Sequence, residues 1–182
     1  MTLPVRHTAS LRRGRISIPS ARYFLTLCTQ NREAVLTEPL NAERIIATWL
    51  ELAASGDLKL LAATVMPDHL HALFMLGDRL PLSRVMGKYK TLSTDHGRAS
   101  WRWQQNGFEH RLRENEDTSD YAFYIFMNPY RAKLIKPSER WLWWSCPDPS
   151  RQPFLEHLHD GCPPVEWIES IEQVARQITS GE

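Results

Sequence analysis

At 182 residues, with 22 lysines and arginines against 21 acidic residues, the chain carries a formal net charge of +1. The length suits one domain with a substantial core. No run approaches the roughly 20 apolar residues of a membrane span, and three scattered cysteines in no CxxC pairing indicate neither a disulfide framework nor a zinc knuckle.

The basic start of the chain is not followed by an apolar run, so no secretory leader is expected and a reducing cytoplasm fits. Charge is unevenly spread. Arg6, Arg12, Arg13, Arg15, Arg22 and Arg32 crowd the first stretch, and Arg84, Lys88, Lys90, Arg98, Arg102, Arg111 and Arg113 a second. After Asp148, Glu156, Asp160, Glu166, Glu169, Glu172 and Glu182 outnumber Arg151 and Arg176. An acidic tail therefore cancels a basic body, and a basic body is what a phosphate-binding surface needs.

From Arg22 the run Tyr23 to Thr29 is aromatic and β-branched enough for a buried strand. Pro39 and Asn41 introduce a helix with Ile45, Ile46, Trp49, Leu52 and Ala53 at helical spacing, stopped by Gly56. Leu58 to Met66 and His69 to Leu76 read as two strands joined by a tight Pro67-Asp68 turn. Leu82, Val85, Met86, Tyr89 and Leu92 mark a second amphipathic helix with basic outer positions. Asn106-Gly107 signals a turn before an alternating strand, Phe108 to Leu112. Thr118 or Ser119 can cap a third helix carrying Tyr121, Tyr124, Ile125 and Asn128, which Pro129 is expected to end. The first six elements match a split βαβ arrangement, an α+β antiparallel sheet with two helices on one face and the third helix free to cover the other. Trp141, Trp143 and Trp144, followed by several prolines, predict an irregular segment held by aromatic anchors, and Val165 to Ile178 a closing helix.

Two places carry candidate chemistry. Residues i and i+2 on a strand share a face, so His69 and His71 point together while Leu70 turns into the core, giving a two-nitrogen site for a metal. Tyr124 and Asn128, four apart on a helix, also share a face, and the amide oxygen could complete a shell of two histidines. Taken singly, each has a plain structural explanation: partly exposed strand histidines, a core tyrosine and a helix-terminating asparagine. A phenol with an ordinary pKa near 10 attacks at neutral pH only if its target is strongly polarised.

The segment MPDHLHALF resembles the His-hydrophobic-His strand of the HUH single-strand nucleases, and YIFMNPYRAKLI is similar to the tyrosine helix of one branch, the REP-associated tyrosine transposases, relatives of the single-tyrosine insertion-sequence transposases. LRRGRISIPSARYFLT, WQQNGFEHRLR and WLWWSC extend the likeness, in the family's order, to about Cys146. The resemblance implies a ferredoxin-like fold with the catalytic tyrosine on an additional helix after the last strand. It implies a nuclease domain over residues 1–146, with a basic N-terminal segment over 1–21, and leaves 147–182 as an acidic tail without a transferable role. His69 and His71 match the metal-ligating pair, Asn128 the third, amide-bearing ligand, and Tyr124 the nucleophile, with Tyr121 as the alternative phenol. Phe123 departs from the acidic residue that many relatives carry there.

The function so implied is a transposase and endonuclease of the bacterial nucleoid. It would use Mg²⁺ or Mn²⁺ to cleave and rejoin single-stranded DNA beside repetitive palindromic hairpins, through a 5′-phosphotyrosine. Arg12, Arg13, Arg15, Lys88 and Lys90 are the candidates for backbone contacts. The alternatives are a hairpin-binding protein with little catalysis, and a replication-initiator nuclease, which typically has lysine where this chain has Asn128. Nothing in the sequence chooses between monomer and dimer.

Overall fold

The computed structural model describes residues 17–179. Five strands form one antiparallel sheet: β1 (Arg22–Cys28), β2 (Leu58–Val65), β3 (His69–Leu76), β4 (Phe108–Arg111) and β5 (Trp144–Ser145), in the order β4-β1-β3-β2-β5. With α1 (Pro39–Ala54) between β1 and β2, and α2 (Leu82–Ser93) between β3 and β4, the first six elements are the expected split βαβ arrangement. Gly56, at φ 74, lets the chain leave α1 in a left-handed turn that a side chain would strain.

The sheet separates two cores. Tyr23, Leu25, Leu27, Leu70, Ala72 and Phe74 face one way, packing with Ile45, Trp49, Leu52, Val85 and Tyr89 of α1 and α2. Phe24, Leu61, Ala62 and Leu73 face the other, against Tyr121, Tyr124, Ile125 and Met127 of α3 (Thr118–Arg131). The period of two along β1 and β3 is the physical reason that odd and even residues enter different cores. A register shift between Leu60 and Ala62 places Leu61 and Ala62 together on the α3 side.

Three local expectations need correction. Helix α3 does not stop before Pro129 but runs through it to Arg131. The missing proline N–H costs one rung, yet the next turn is secured by Ala132 N–H donating to the Asn128 carbonyl (2.9 Å) and Leu134 N–H to that of Pro129 (2.9 Å). The cap is Asp117, whose carboxylate accepts from Ser119 N–H at 2.8 Å, rather than Thr118 or Ser119. Asn106-Gly107 is not a turn either. A Cβ on Gly107 would lie 2.5 Å from Leu27 Cδ2 and 3.0 Å from the Thr26 carbonyl oxygen, so the glycine serves close approach to β1.

The Trp-rich segment covers the outer edge of β2. Val65 N–H donates to the Trp143 carbonyl (2.9 Å), and Trp141 Nε1 donates to that of Val65 (3.2 Å). Beyond it, residues 149–157 make two short 3₁₀ turns and α4 (Glu166–Thr179) packs on α3 through Ile171, Ala175 and Ile178. The acidic segment thus shares the core of the tyrosine helix. Phe123 explains itself here, because its ring meets Trp167 (5.0 Å) and Phe154 (5.5 Å), surroundings that would leave an acidic side chain unpaired. No helix of the described residues is long and apolar enough to cross a membrane.

Candidate active site

The turn at 66–68 is closed by Met66 N–H donating to the His69 carbonyl (2.8 Å), which starts β3 at His69. His69 and His71 then project toward α3, their rings 4.8 Å apart and nearly perpendicular. Each is oriented through Nδ1. His69 Nδ1–H donates to Asp68 Oδ1 at 2.6 Å, and Asp68 Oδ2 lies 3.2 Å from Arg32 Nε. His71 Nδ1 lies 2.9 Å from Thr26 Oγ1, its direct cross-strand partner on β1. The Asp68 carboxylate can only accept, which puts the His69 proton on Nδ1 and the lone pair on Nε2; the Thr26 hydroxyl can donate or accept, so it orients the His71 ring through Nδ1 without choosing its tautomer.

Both rings are held neutral. Burial, followed by the charge His69 would carry if protonated and by the charges of Arg131 and Arg32, keeps His71 well below its ordinary value. Burial also lowers His69, against the opposing pull of the Asp68 carboxylate. Neutral imidazoles are the form that ligates metals.

Tyr124 lies against His71. Its ring is 5.5 Å from that of His71 and 5.9 Å from that of Phe24, which in turn stacks on His71 at 5.6 Å. Tyr121 and Tyr124 are equally buried, so partners separate them. The Tyr121 hydroxyl donates to Glu116 Oε1 (2.9 Å), and its ring stacks beside His110, whose Nε2 also meets Glu116 at 2.9 Å. Burial and the Glu116 carboxylate push the Tyr121 phenol well above its ordinary value. Burial alone would raise Glu116, but bonds from Arg113 N–H, His110 and Tyr121 bring it below the usual range. Tyr121 thus belongs to a clamp between β4 and the start of α3, where a phenolate is disfavoured.

Asn128 is buried, and its Nδ2 donates to the Tyr124 carbonyl at 2.8 Å, which leaves Oδ1 as the atom for any ligand. Among the described residues no three His, Cys, Asp or Glu side chains gather into a metal-binding group. Two neutral imidazoles, and an amide oxygen one helical turn from Tyr124, are nevertheless donor types that suit a divalent cation completed by further oxygen ligands from substrate or water.

Both candidate lysines are engaged within the protein. Lys88 Nζ lies 2.6 Å from the carboxylate of the buried Asp57, and Lys90 Nζ donates to the carbonyls of Gln104 (2.7 Å) and Gln105 (3.1 Å). The hydrogen bond from Lys88, outweighing burial, holds the Asp57 carboxyl below its ordinary value. Lys88→Met is expected to cost about 1–3 kcal/mol at neutral pH. Because a depressed carboxylate stabilises the fold above its unfolded pKa and loses that contribution as pH falls through the folded one, urea denaturation should show the gap to wild type closing below about pH 4. Arg12, Arg13 and Arg15 lie outside the described residues.

Three contributors went unread in the sequence. Asp68 was the easiest to find, adjacent to His69. Arg131 stands seven residues after Tyr124 on the same helical stripe, its Cζ 6.0 Å from the centre of the Tyr124 ring. Thr26 depends on cross-strand register, which no local signal reveals.

The family model described as Transposase IS200 like matches residues 17–112, more than half of the chain and including both histidines. The chain belongs to the IS200-like transposase family. That family is one of DNA-acting transposases, and the match ends just before the tyrosine helix. A REP-associated tyrosine transposase of Escherichia coli K12 is 23% identical over 162 residues, covering 86% of this chain and 90% of its own. A Haemophilus influenzae protein provisionally named the same way is 24% identical over 135 residues, covering 65% and 76%. Among solved structures, a REP-associated tyrosine transposase bound to a REP hairpin matches with a TM-score of 0.57 at 21% identity, over 66% of this chain and 73% of that one. This IS200-like transposase therefore has the α+β fold of its hairpin-bound relative.

Proposed function

We propose that this IS200-like transposase binds REP-type hairpins and cleaves and rejoins single-stranded DNA beside them, with Tyr124 as nucleophile and His69, His71 and Asn128 as ligands of Mg²⁺ or Mn²⁺. The observation that carries the reading is the meeting of the Tyr124 ring with the oriented, neutral His71. A hairpin partner is supported by the relative solved in complex with one.

In the reaction, the Tyr124 oxygen bonds to phosphorus as the bond from phosphorus to the 3′ oxygen breaks. The phenol proton leaves to solvent and the departing oxygen takes one up, so the products are a 5′-phosphotyrosine and a 3′-hydroxyl. Because the phosphotyrosine conserves the ester, attack by another 3′-hydroxyl rejoins strands without nucleotide energy. A bound cation supplies Lewis-acid polarisation of the phosphate. The chain's own residues do the positioning: Thr26 and Asp68 fix the imidazoles, Phe24 supports both His71 and Tyr124, and the Asn128 amide is pinned to the Tyr124 carbonyl.

The decisive experiment incubates protein, Mn²⁺ and a REP-hairpin single strand, then looks for a denaturant-stable protein–DNA adduct. Hairpin binding with no adduct in Mg²⁺ or Mn²⁺ would instead establish a binding protein. That outcome is the second reading, the hairpin-binding protein with little catalysis.

A further inference from the structure

We infer that Arg131 grips the non-bridging oxygens of the scissile phosphate, a role that rests on the transposase reading above. Residues 124, 128 and 131 lie at i, i+4 and i+7 on α3, so the arginine continues the stripe that already bears the nucleophile and the amide. Its guanidinium lies 6.0 Å from the centre of the Tyr124 ring, which in turn meets the His71 ring at 5.5 Å. Tyrosine, imidazole and guanidinium therefore border one space.

The manner in which Arg131 is held supports the assignment. Its Nε donates to Glu172 Oε1 of α4 at 2.9 Å, while the side chain remains 33% exposed. Among the described residues the guanidinium makes no other hydrogen bond, so the two terminal nitrogens are left as the open end of a fork. A fork anchored through Nε and open at its tip matches the paired oxygens of a phosphate. A cation that served only to complement the negative end of α3 or to dock α4 would have no need to lie over the tyrosine ring. The attack on phosphorus adds charge to the non-bridging oxygens, and a preset donor pair there stabilises that charge without reorganisation.

The test measures single-turnover adduct formation on a REP-hairpin strand in Mn²⁺ for wild type, Arg131→Ala, Arg131→Lys and Glu172→Gln. Binding is measured in parallel for the Tyr124→Phe protein with and without Arg131→Ala. Arg131→Ala should slow the adduct by about 10²–10³-fold, with Arg131→Lys between it and wild type, and Glu172→Gln, which keeps an acceptor for the Nε–H, losing less than Arg131→Ala. Replacing the scissile phosphate by a neutral methylphosphonate should weaken binding to the Tyr124→Phe protein but have little further effect once Arg131 is alanine, a coupling that a structural role would not produce. A methylphosphonate effect on binding that is unchanged by Arg131→Ala would overturn the proposal in favour of helix docking. An Arg131→Ala protein as fast as wild type would overturn it while leaving Tyr124 chemistry intact. A wild type that binds the hairpin yet forms no adduct would remove the chemistry itself, and this role with it.

Discussion

Tyr124→Phe is expected to abolish the covalent DNA adduct, reducing its formation by a factor on the order of 10⁴ or more, as loss of a nucleophile does in other covalent enzymes. Tyr121→Phe should keep it. The contrast follows from the surroundings of each residue: the Tyr121 hydroxyl is bonded to Glu116, which disfavours its phenolate, whereas the Tyr124 ring lies against His71. Phenylalanine retains the ring contacts with Phe24 and His71, so the unfolding midpoint of Tyr124→Phe should stay close to wild type and hairpin binding should persist. Retention of the adduct by Tyr124→Phe and its loss in Tyr121→Phe would reverse the assignment.

Asp68→Ala should weaken Mn²⁺ binding by about 10–100-fold, the usual effect of removing the carboxylate behind a ligating histidine. Titration calorimetry on the DNA-free protein reads this directly. Two losses combine: His69 no longer has the 2.6 Å bond that fixes its ring, and Arg32 loses the carboxylate that held it 3.2 Å away. Asp68→Asn preserves an acceptor for Nδ1–H and should fall between. Equal Mn²⁺ affinity in wild type and Asp68→Ala would show that His69 is not a ligand, or that its orientation needs no support.

Much of the fold was legible because the strands alternate. Leu70 between His69 and His71, and Phe24 between Tyr23 and Leu25, announce which side chains share a face. Long-range facts were not legible. That Thr26 faces His71 is a matter of register, and that Lys88 serves Asp57 depends on how deeply α1 and β2 bury that carboxylate. The end of α3 was misjudged because proline's local penalty was weighed without the packing of α4 and the following turn, which sustain the helix to Arg131. Phe123, a departure from the family pattern in the sequence, became intelligible only once Phe154 and Trp167 were seen around it.

The two-core sheet has a mechanical corollary. One strand carries both imidazoles and one helix carries the phenol, the amide and the guanidinium, so the site has a single joint. Rise along a helix is about 1.5 Å per residue, which fixes the spacing within the helical set whatever α3 does as a body. The one adjustable quantity is the gap across the joint, and Phe24 flanks it, touching both His71 and Tyr124 where their own rings meet at 5.5 Å. The bulk of that benzyl group buttresses both sides at once, and so bears on how far Tyr124 stands from His71.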